Sequence, residues 1–381
     1  MSSLPGGAYV GRARLPGQPH PAVVTVRDGM LVDITNRTAP TVRDVCELDD
    51  PPGYVAAVDG RQICPIEVVL ERPWTVDSDA GKPRLLAPVD LQAIKAAGVT
   101  FVASLLERVI EEQARGQADK AEELRAEITE LIGTDLSELL PGSEAADAVK
   151  NALITKGIWS QYLEVGIGLD AEIFTKAQPM STVGSGADVG LHPMSIWNNP
   201  EPEIALVVSS GARVLGATLG NDVNLRDVEG RSALLLGKAK DNNASASLGP
   251  FVRLFDRDFT LESIKSAEVR LSLIGEDGFE MQGVSSMREI SRSPESLVEA
   301  TIGPHHQYPD GLVLYLGTMF APVADRDRPG EGFTHKDKDI VCISTPTLGM
   351  LENRVRLCTD CEPWTYGTRH LLGDLCKAGL I

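Results

Sequence analysis

The chain changes hydropathy period twice along its 381 residues. Residues 1–85 hold short stretches in which apolar and polar positions alternate. In HPAVVTVRDGMLVDIT the alternation on either side of Asp28-Gly29 predicts a hairpin. The period then lengthens. In APVDLQAIKAAGVTFVASLLERVIEEQARGQADKAEELRAEITELIG apolar residues recur three and four positions apart, the spacing of one helix face. Asp90 and Asp119 are candidate caps there, and helix-like sequence continues through SEAADAVKNALITKGIWSQYLE. Residues 86–163 are therefore expected to form a helical insert or lid. From 164 to 381 β-branched runs punctuated by Gly, Pro and Asn return, among them PEIALVVSS, RVLGATLG, DGLVLYLGT and KDIVCISTPTLGMLENRV. The whole predicts an α+β chain: a small β-rich N-terminal domain (1–85), the helical insert (86–163) and a larger mixed or antiparallel β domain (164–381).

Within the third region, Ile204–Val208 is an unbroken apolar run, the mark of a strand buried on both faces. Glu201 and Glu203 stand at its start, and Asp222 ends the next strand-like stretch, RVLGATLGND. Residues i and i+2 of a strand share a face roughly 6.5–7 Å apart, so the two glutamates can aim at one point. Asp222 can join them if a turn near Ser209–Gly211 pairs the two strands. Three oxygen donors without Cys or His suit a hard cation, Mg²⁺ or Mn²⁺. On spacing alone, the more ordinary reading is a solvated strand start followed by a turn aspartate, because E-x-E is common.

Composition narrows the partners. Lys and Arg number 36 against 54 Asp and Glu, a net charge of −18, which disfavours nucleic acid and anionic membrane surfaces. No apolar run reaches the ~18–20 residues of a membrane span, and the first residues lack a signal-peptide layout. Six cysteines in no dense framework fit a reducing, cytoplasmic setting.

The ordered motifs PEPEIALVV, GATLGNDVNLRD, LLLGKAKD, LVLYLGTMFAP and GMLENRV resemble the fumarylacetoacetate hydrolase family over about residues 165–355. The resemblance implies a mixed β-roll or barrel whose mouth holds Mg²⁺ on Glu201, Glu203 and Asp222. It matches Arg226, as a catalytic residue, to the Arg of the family's R-D, Lys240 to the Lys of A-K and Thr318, as a substrate-binding residue, to the Thr of the G-T loop. EVGIGLDAEIFTKAQPMSTVGSG, WNNPEPE and GRSALLLGKAKDNNASASLGPF look like the branch acting on 2-keto-3-deoxy sugar acids, which includes dehydratases of 2-keto-3-deoxypentonates. Phe174, Thr175 and Lys176 match a segment near the substrate in that family. A homodimer or higher oligomer is implied as well.

The chemistry expected from this set is metal-stabilised enolisation of a 2-oxo acid, with Lys240 handling the C3 proton. Lys240 as a plain counter-charge to the carboxylates is the simpler role. Family hydrolases often carry a His-x-x-Glu pair in a mobile segment, whereas GVTFVASLLERVIEEQARG has no His. It offers Glu107, Arg108, Glu111 and Glu112, with Arg108 one helical turn from the last two. Glu111, or Glu107, is the expected acid for a departing 4-hydroxyl, with Arg108 toward the substrate. The bland reading is a solvated charged face.

The leading expectation is thus dehydration of a 2-keto-3-deoxypentonate to 2,5-dioxopentanoate. The alternatives are C–C hydrolysis of a 2,4-diketo acid or acylpyruvate, and a non-catalytic 2-oxo acid binder. Cys358, Cys361, His370 and Cys376 are a poor zinc set by spacing and are expected to be reduced thiols. His305 and His306 are expected on a surface loop, His192 ahead of the metal strand, and Gly184–Gly190 in a plain loop.

Overall fold

The computed structural model describes residues 4–70, 81–101, 105, 109, 139–155, 157, 159–318, 320, 322, 324–328 and 332–381. The 204–208 run lies in β9 (Pro202–Val208), and all seven of its residues are buried. Ile204, Leu206 and Val208 enter one core cluster, while Ala205 and Val207 enter another on the opposite face. Glu203 belongs to the second face by the period of two. A tight turn, with Ala212 at φ 63° and Ser209 N–H donating to the Arg213 carbonyl at 2.9 Å, returns the chain into β10 (Val214–Asp222). The antiparallel register sets Glu203 opposite Gly220 and Pro202 opposite Asn221.

This hairpin is the centre of an eleven-stranded mixed sheet. On one side of β10 lies β11 (Ala246–Leu254), followed by β1 (Tyr9–Arg14), β2 (Ala22–Arg27), β3 (Met30–Asp33) and β4 (Arg61–Pro65). A short β5 (Arg84–Leu86) pairs with β1. Beyond β9 come β14 (Leu312–Tyr315), β6 (Ala93–Gly98) and β7 (Glu172–Ala177). A second sheet of five strands runs β13 (Glu280–Ser286), β12 (Glu268–Ile274), β15 (Ile340–Thr345), β16 (Gly349–Leu357) and β8 (Asp188–Leu191). Its inner residues Leu271, Leu273, Val341, Ile343, Leu351 and Val355 pack in one cluster with the even face of β9.

The α+β class and the mixed sheets are as expected, but neither sheet closes into a barrel among the described residues. The predicted hairpin around Asp28-Gly29 is β2–β3. The 86–163 stretch does not open as a helix. Ala93–Gly98 is a strand, parallel to β14 and antiparallel to β7. Its apolar spacing fits either period, and pairing with strands far away in sequence decides it. Asp90 starts no helix of its own, and it lies instead against the start of Val42–Glu47, whose N-cap is Thr41. The Asp90 carboxylate accepts from the N–H groups of Val42 (2.7 Å) and Arg43 (3.0 Å) at the start of that helix. Later parts of the stretch are helical at Glu144–Thr155 and Gln161–Ile167, where Leu153, Leu163 and Ile167 pack with Leu105 and Val109. Asp119 lies outside the described residues. No helix among the described residues is long and apolar enough to cross a membrane.

Candidate metal centre

The β9–β10 hairpin brings three carboxylates together. Asp222 N–H donates to the Glu201 carbonyl at 3.0 Å, so both residues sit at the same end of the ladder, with Glu203 beside them. Ligand oxygens of Glu201, Glu203 and Asp222 lie within 4.8 Å of one another, and the residues are 2%, 1% and 1% exposed. Among the described residues this is the one such acidic, His or Cys group.

Two lysines partly compensate the charge. Lys240, at the end of the short helix Leu236–Lys240, donates from Nζ to Glu201 Oε2 and to Asp222 Oδ2, the latter at 3.1 Å. Lys176, from β7, places Nζ 3.0 Å from Asp222 Oδ1 and donates to the Val223 and Lys240 carbonyls and Ser245 Oγ. Burial lowers the Lys176 pKa, with the Asp222 charge opposing the shift and Lys240 adding to it. Three carboxylates against two ammonium groups leave one excess negative charge.

Glu203 bears the consequence. Its Oε2 accepts from the Gly317 N–H at 2.7 Å. Burial, then the charges of Asp222 and Glu201, push its pKa well above the ordinary carboxylate value, against Lys240 and the Gly317 bond. Gly317 is held at φ 100°, where a Cβ would strike Thr100 Oγ1, so the G-T loop needs glycine to bring that N–H close. The donor set suits a hard divalent cation. The Lys240 ammonium bridging Glu201 and Asp222 is a stand-in that shows the position attracts positive charge.

The cleft above the carboxylates is lined by Ala97, Gly98, Val99, Glu172, Phe174, Glu229, Lys240 and Thr318 as well as the triad. Of the expected substrate residues, Phe174 and Thr318 are in it. Lys240 Nζ lies 5.7 Å from the Phe174 ring centre, and Thr318 Oγ1 donates to the Phe320 carbonyl at 3.1 Å. Lys176 is elsewhere: fully buried, it sits behind Asp222 as a counter-charge. Arg226 is also set back from the lining. It stacks on Trp197 (4.8 Å) and donates to the Pro322 carbonyl at 3.2 Å, tying down the chain after Thr318. Glu107, Arg108 and Glu111 lie outside the described residues.

Sequence reasoning missed Glu172, Glu229 and Asn224. Asn224 donates to Glu201 Oε1 (3.1 Å) and Glu229 Oε2 (2.6 Å). The only signal for Glu172 was its place two residues before Phe174, on a strand expected to approach the substrate. His192 Nδ1 accepts from Met194 N–H in a turn, and His306 stacks on Tyr308 at an exposed loop. Asn353 pins the Gly184–Gly190 loop by donating to the Gly184 and Ala187 carbonyls, both at 3.1 Å. Cys358, Cys361, His370 and Cys376 are not gathered as a metal set; Cys361 is buried, Cys376 exposed and His370 stacked on Tyr366.

Residues 168–356, which contain the triad, Lys240 and the G-T loop, match the fumarylacetoacetate (FAA) hydrolase C-terminal family. Over this segment the chain is similar to the C-terminal domain of that family. A 2-dehydro-3-deoxy-D-arabinonate dehydratase of Saccharolobus solfataricus is 30% identical over 195 residues, covering 51% of this chain and 62% of that protein. A protein of Haloferax volcanii named "Probable 2-keto-3-deoxyxylonate dehydratase" is 32% identical over 187 residues, 48% of this chain and 60% of that one. The chain thus matches less than two thirds of the length of these relatives. The fold is shared with a solved 2-keto-3-deoxy-D-arabinonate dehydratase complexed with magnesium and 2,5-dioxopentanoate. The TM-score is 0.63 at 20% identity, over 92% of this chain and 99% of that one.

Proposed function

We propose that the protein is a Mg²⁺-dependent dehydratase that converts a 2-keto-3-deoxypentonate to 2,5-dioxopentanoate. The buried triad with Lys240 at its centre carries this reading, and the names of the two relatives favour dehydration over the other fates of a 2-oxo acid. Glu201, Glu203 and Asp222 would hold Mg²⁺ or Mn²⁺, which supplies Lewis-acid polarisation of the 2-keto oxygen and of the carboxylate.

The chain's own residues do the rest. Lys240, whose Nζ reaches Glu201 and Asp222, takes the C3 proton at Nζ. Glu172, a further carboxyl group of the cleft, delivers a proton to the 4-hydroxyl, which leaves as water. Glu111 and Glu107 keep that role as a proposal from sequence. Loss of the C3 hydrogen and the 4-hydroxyl leaves a C3=C4 double bond, and tautomerisation of this allylic alcohol gives the 5-aldehyde.

The test is to incubate the purified protein and Mg²⁺ with 2-keto-3-deoxypentonate stereoisomers and follow 2,5-dioxopentanoate. Turnover that stops with chelator and returns with Mg²⁺ is expected. Pyruvate released from a 2,4-diketo acid, with no turnover of any 3-deoxy sugar acid, would replace this reading with C–C hydrolysis. Binding of Mg²⁺ without any turnover would leave a 2-oxo acid binder.

A further inference from the structure

We propose that Asn224 is a positioning residue for the metal centre, a role that rests on the reading just given. Its side chain is fully buried between two carboxylates of different elements. One Nδ2 hydrogen goes to Glu201 Oε1 at 3.1 Å and the other to Glu229 Oε2 at 2.6 Å. Carboxylates accept and do not donate, so the amide can face them only with its nitrogen. Its Oδ1 is buried without a hydrogen-bond partner, a cost incurred to hold that orientation.

The backbone makes the amide a rigid post. Asn224 and Asn199 exchange two N–H···O bonds of 3.1 Å in an isolated bridge, two residues ahead of Glu201. Glu201 is fixed at its own main chain too, its N–H donating to Asn221 Oδ1 at 3.3 Å and its carbonyl accepting from Asp222. With Oε1 engaged by Asn224, Oε2 is the oxygen that faces Asp222 and the Lys240 ammonium. A neutral amide suits the place. It holds two like charges side by side, whereas a lysine would compete for the cation's electrostatic well and a serine has one donor for two acceptors.

The test is Mn²⁺ binding by the full-length protein, followed by electron paramagnetic resonance well below the melting transition. Wild-type binding checks the proposed metal centre itself; if wild type takes up no Mn²⁺, that reading falls rather than this one. Given wild-type binding, Asn224→Ala is expected to raise the Mn²⁺ dissociation constant by about 10–100-fold, the usual cost of losing a residue that orients a ligand. A merely structural asparagine would lower the melting temperature and leave the affinity of the folded protein unchanged, which overturns the proposal. Should Asn224→Ala fail to fold, Glu229→Ala and Glu229→Gln decide. Both remove the charge, but only glutamine keeps an acceptor for the amide. Weaker Mn²⁺ binding by the alanine variant than by the glutamine variant is expected; equal affinities would sink the bridge.

Discussion

Two buried carboxylates, Glu203 and Asp339, are 1% and 0% exposed, yet their protonation equilibria move in opposite directions. Asp339 lies after β14, in the segment that leads to β15, and it is saturated with donors. Arg326 reaches both oxygens at 2.6 and 2.7 Å, His335 Nδ1 donates at 3.1 Å and the Lys336 N–H at 2.9 Å. Burial raises its pKa, but the hydrogen bonds from Arg326 and His335 outweigh burial and hold it below the ordinary value. Burial also lowers the pKa of His335, so that ring serves as a neutral donor. Glu203 has the same burial and two anionic neighbours, with a backbone N–H at hand and Lys240 engaged elsewhere. Burial alone therefore does not separate a structural charge from a functional one. The donors around it do: Asp339 sits in a closed network, whereas the under-compensated cluster is the proposed cation site.

The largest test of this contrast is Glu203→Gln. It is expected to lower kcat/KM at least about a thousandfold, ~4 kcal/mol of transition-state stabilisation. It should leave the metal-free melting temperature unchanged or higher, because a repelled buried charge has been removed. Steady-state kinetics and calorimetry on one preparation read both. A large loss of metal-free stability would mean that the triad is structural after all.

Asp339→Asn should do the reverse. Leaving Arg326 without its buried partner is expected to cost about 3 kcal/mol of stability in a denaturant titration, with Mn²⁺ affinity unchanged once folded. The pH dependence follows in sign. The folded pKa of Asp339 lies below an unfolded value near 3.9, so its stabilisation is complete above that value and is lost as pH falls through the folded pKa. The stability gap between wild type and Asp339→Asn should therefore be constant from neutral pH to about pH 5 and narrow below about pH 4. A gap that stays constant down to pH 2 would show that the ionised form is not what matters.

The contrast also marks where sequence reading works. Glu201, Glu203 and Asp222 were legible because a strand's period of two and one tight turn bring them together within a few residues, and β9 reads as buried from its unbroken apolar run. Glu172 reaches the cleft through pairings a local pattern does not carry: β7 lies beside β6, which pairs with β14, distant in sequence. Glu229 lies in the short helix Arg226–Glu229 just after β10, where no periodic pattern marks it. The same long-range pairing turned Ala93–Gly98 from expected helix into strand. Lys176 and Arg226 were singled out by motif, but which side of Asp222 a lysine occupies, or which carbonyl an arginine reaches, is set by packing that the motif does not encode. Arg326 and Asp339 drew no attention at all, since a saturated charge network leaves no periodic trace.

The smallest expected effects come from two glycines that stand in the same relation to the two regions. A Cβ at Gly98 would meet Glu172 Oε2 in the cleft, and a Cβ at Gly275 would meet Asp277 Oδ1 and Arg326 Nη2 in the network. Both clashes are with side-chain ends. At Gly98 the clash is with one carboxylate end, so Gly98→Ala should change stability by less than about 1 kcal/mol. If Glu172 is the acid of the cleft, it should also lower kcat about tenfold, roughly 1.4 kcal/mol. Arg326 is locked to Asp339 and Asp277 together, so Gly275→Ala should instead cost about 1–2 kcal/mol of stability and leave kcat alone. Kinetics on both variants reads the outcome. An unchanged kcat in Gly98→Ala would remove Glu172 from the mechanism and return the acid's role to Glu111 or Glu107, while the proposed metal triad would stand untouched.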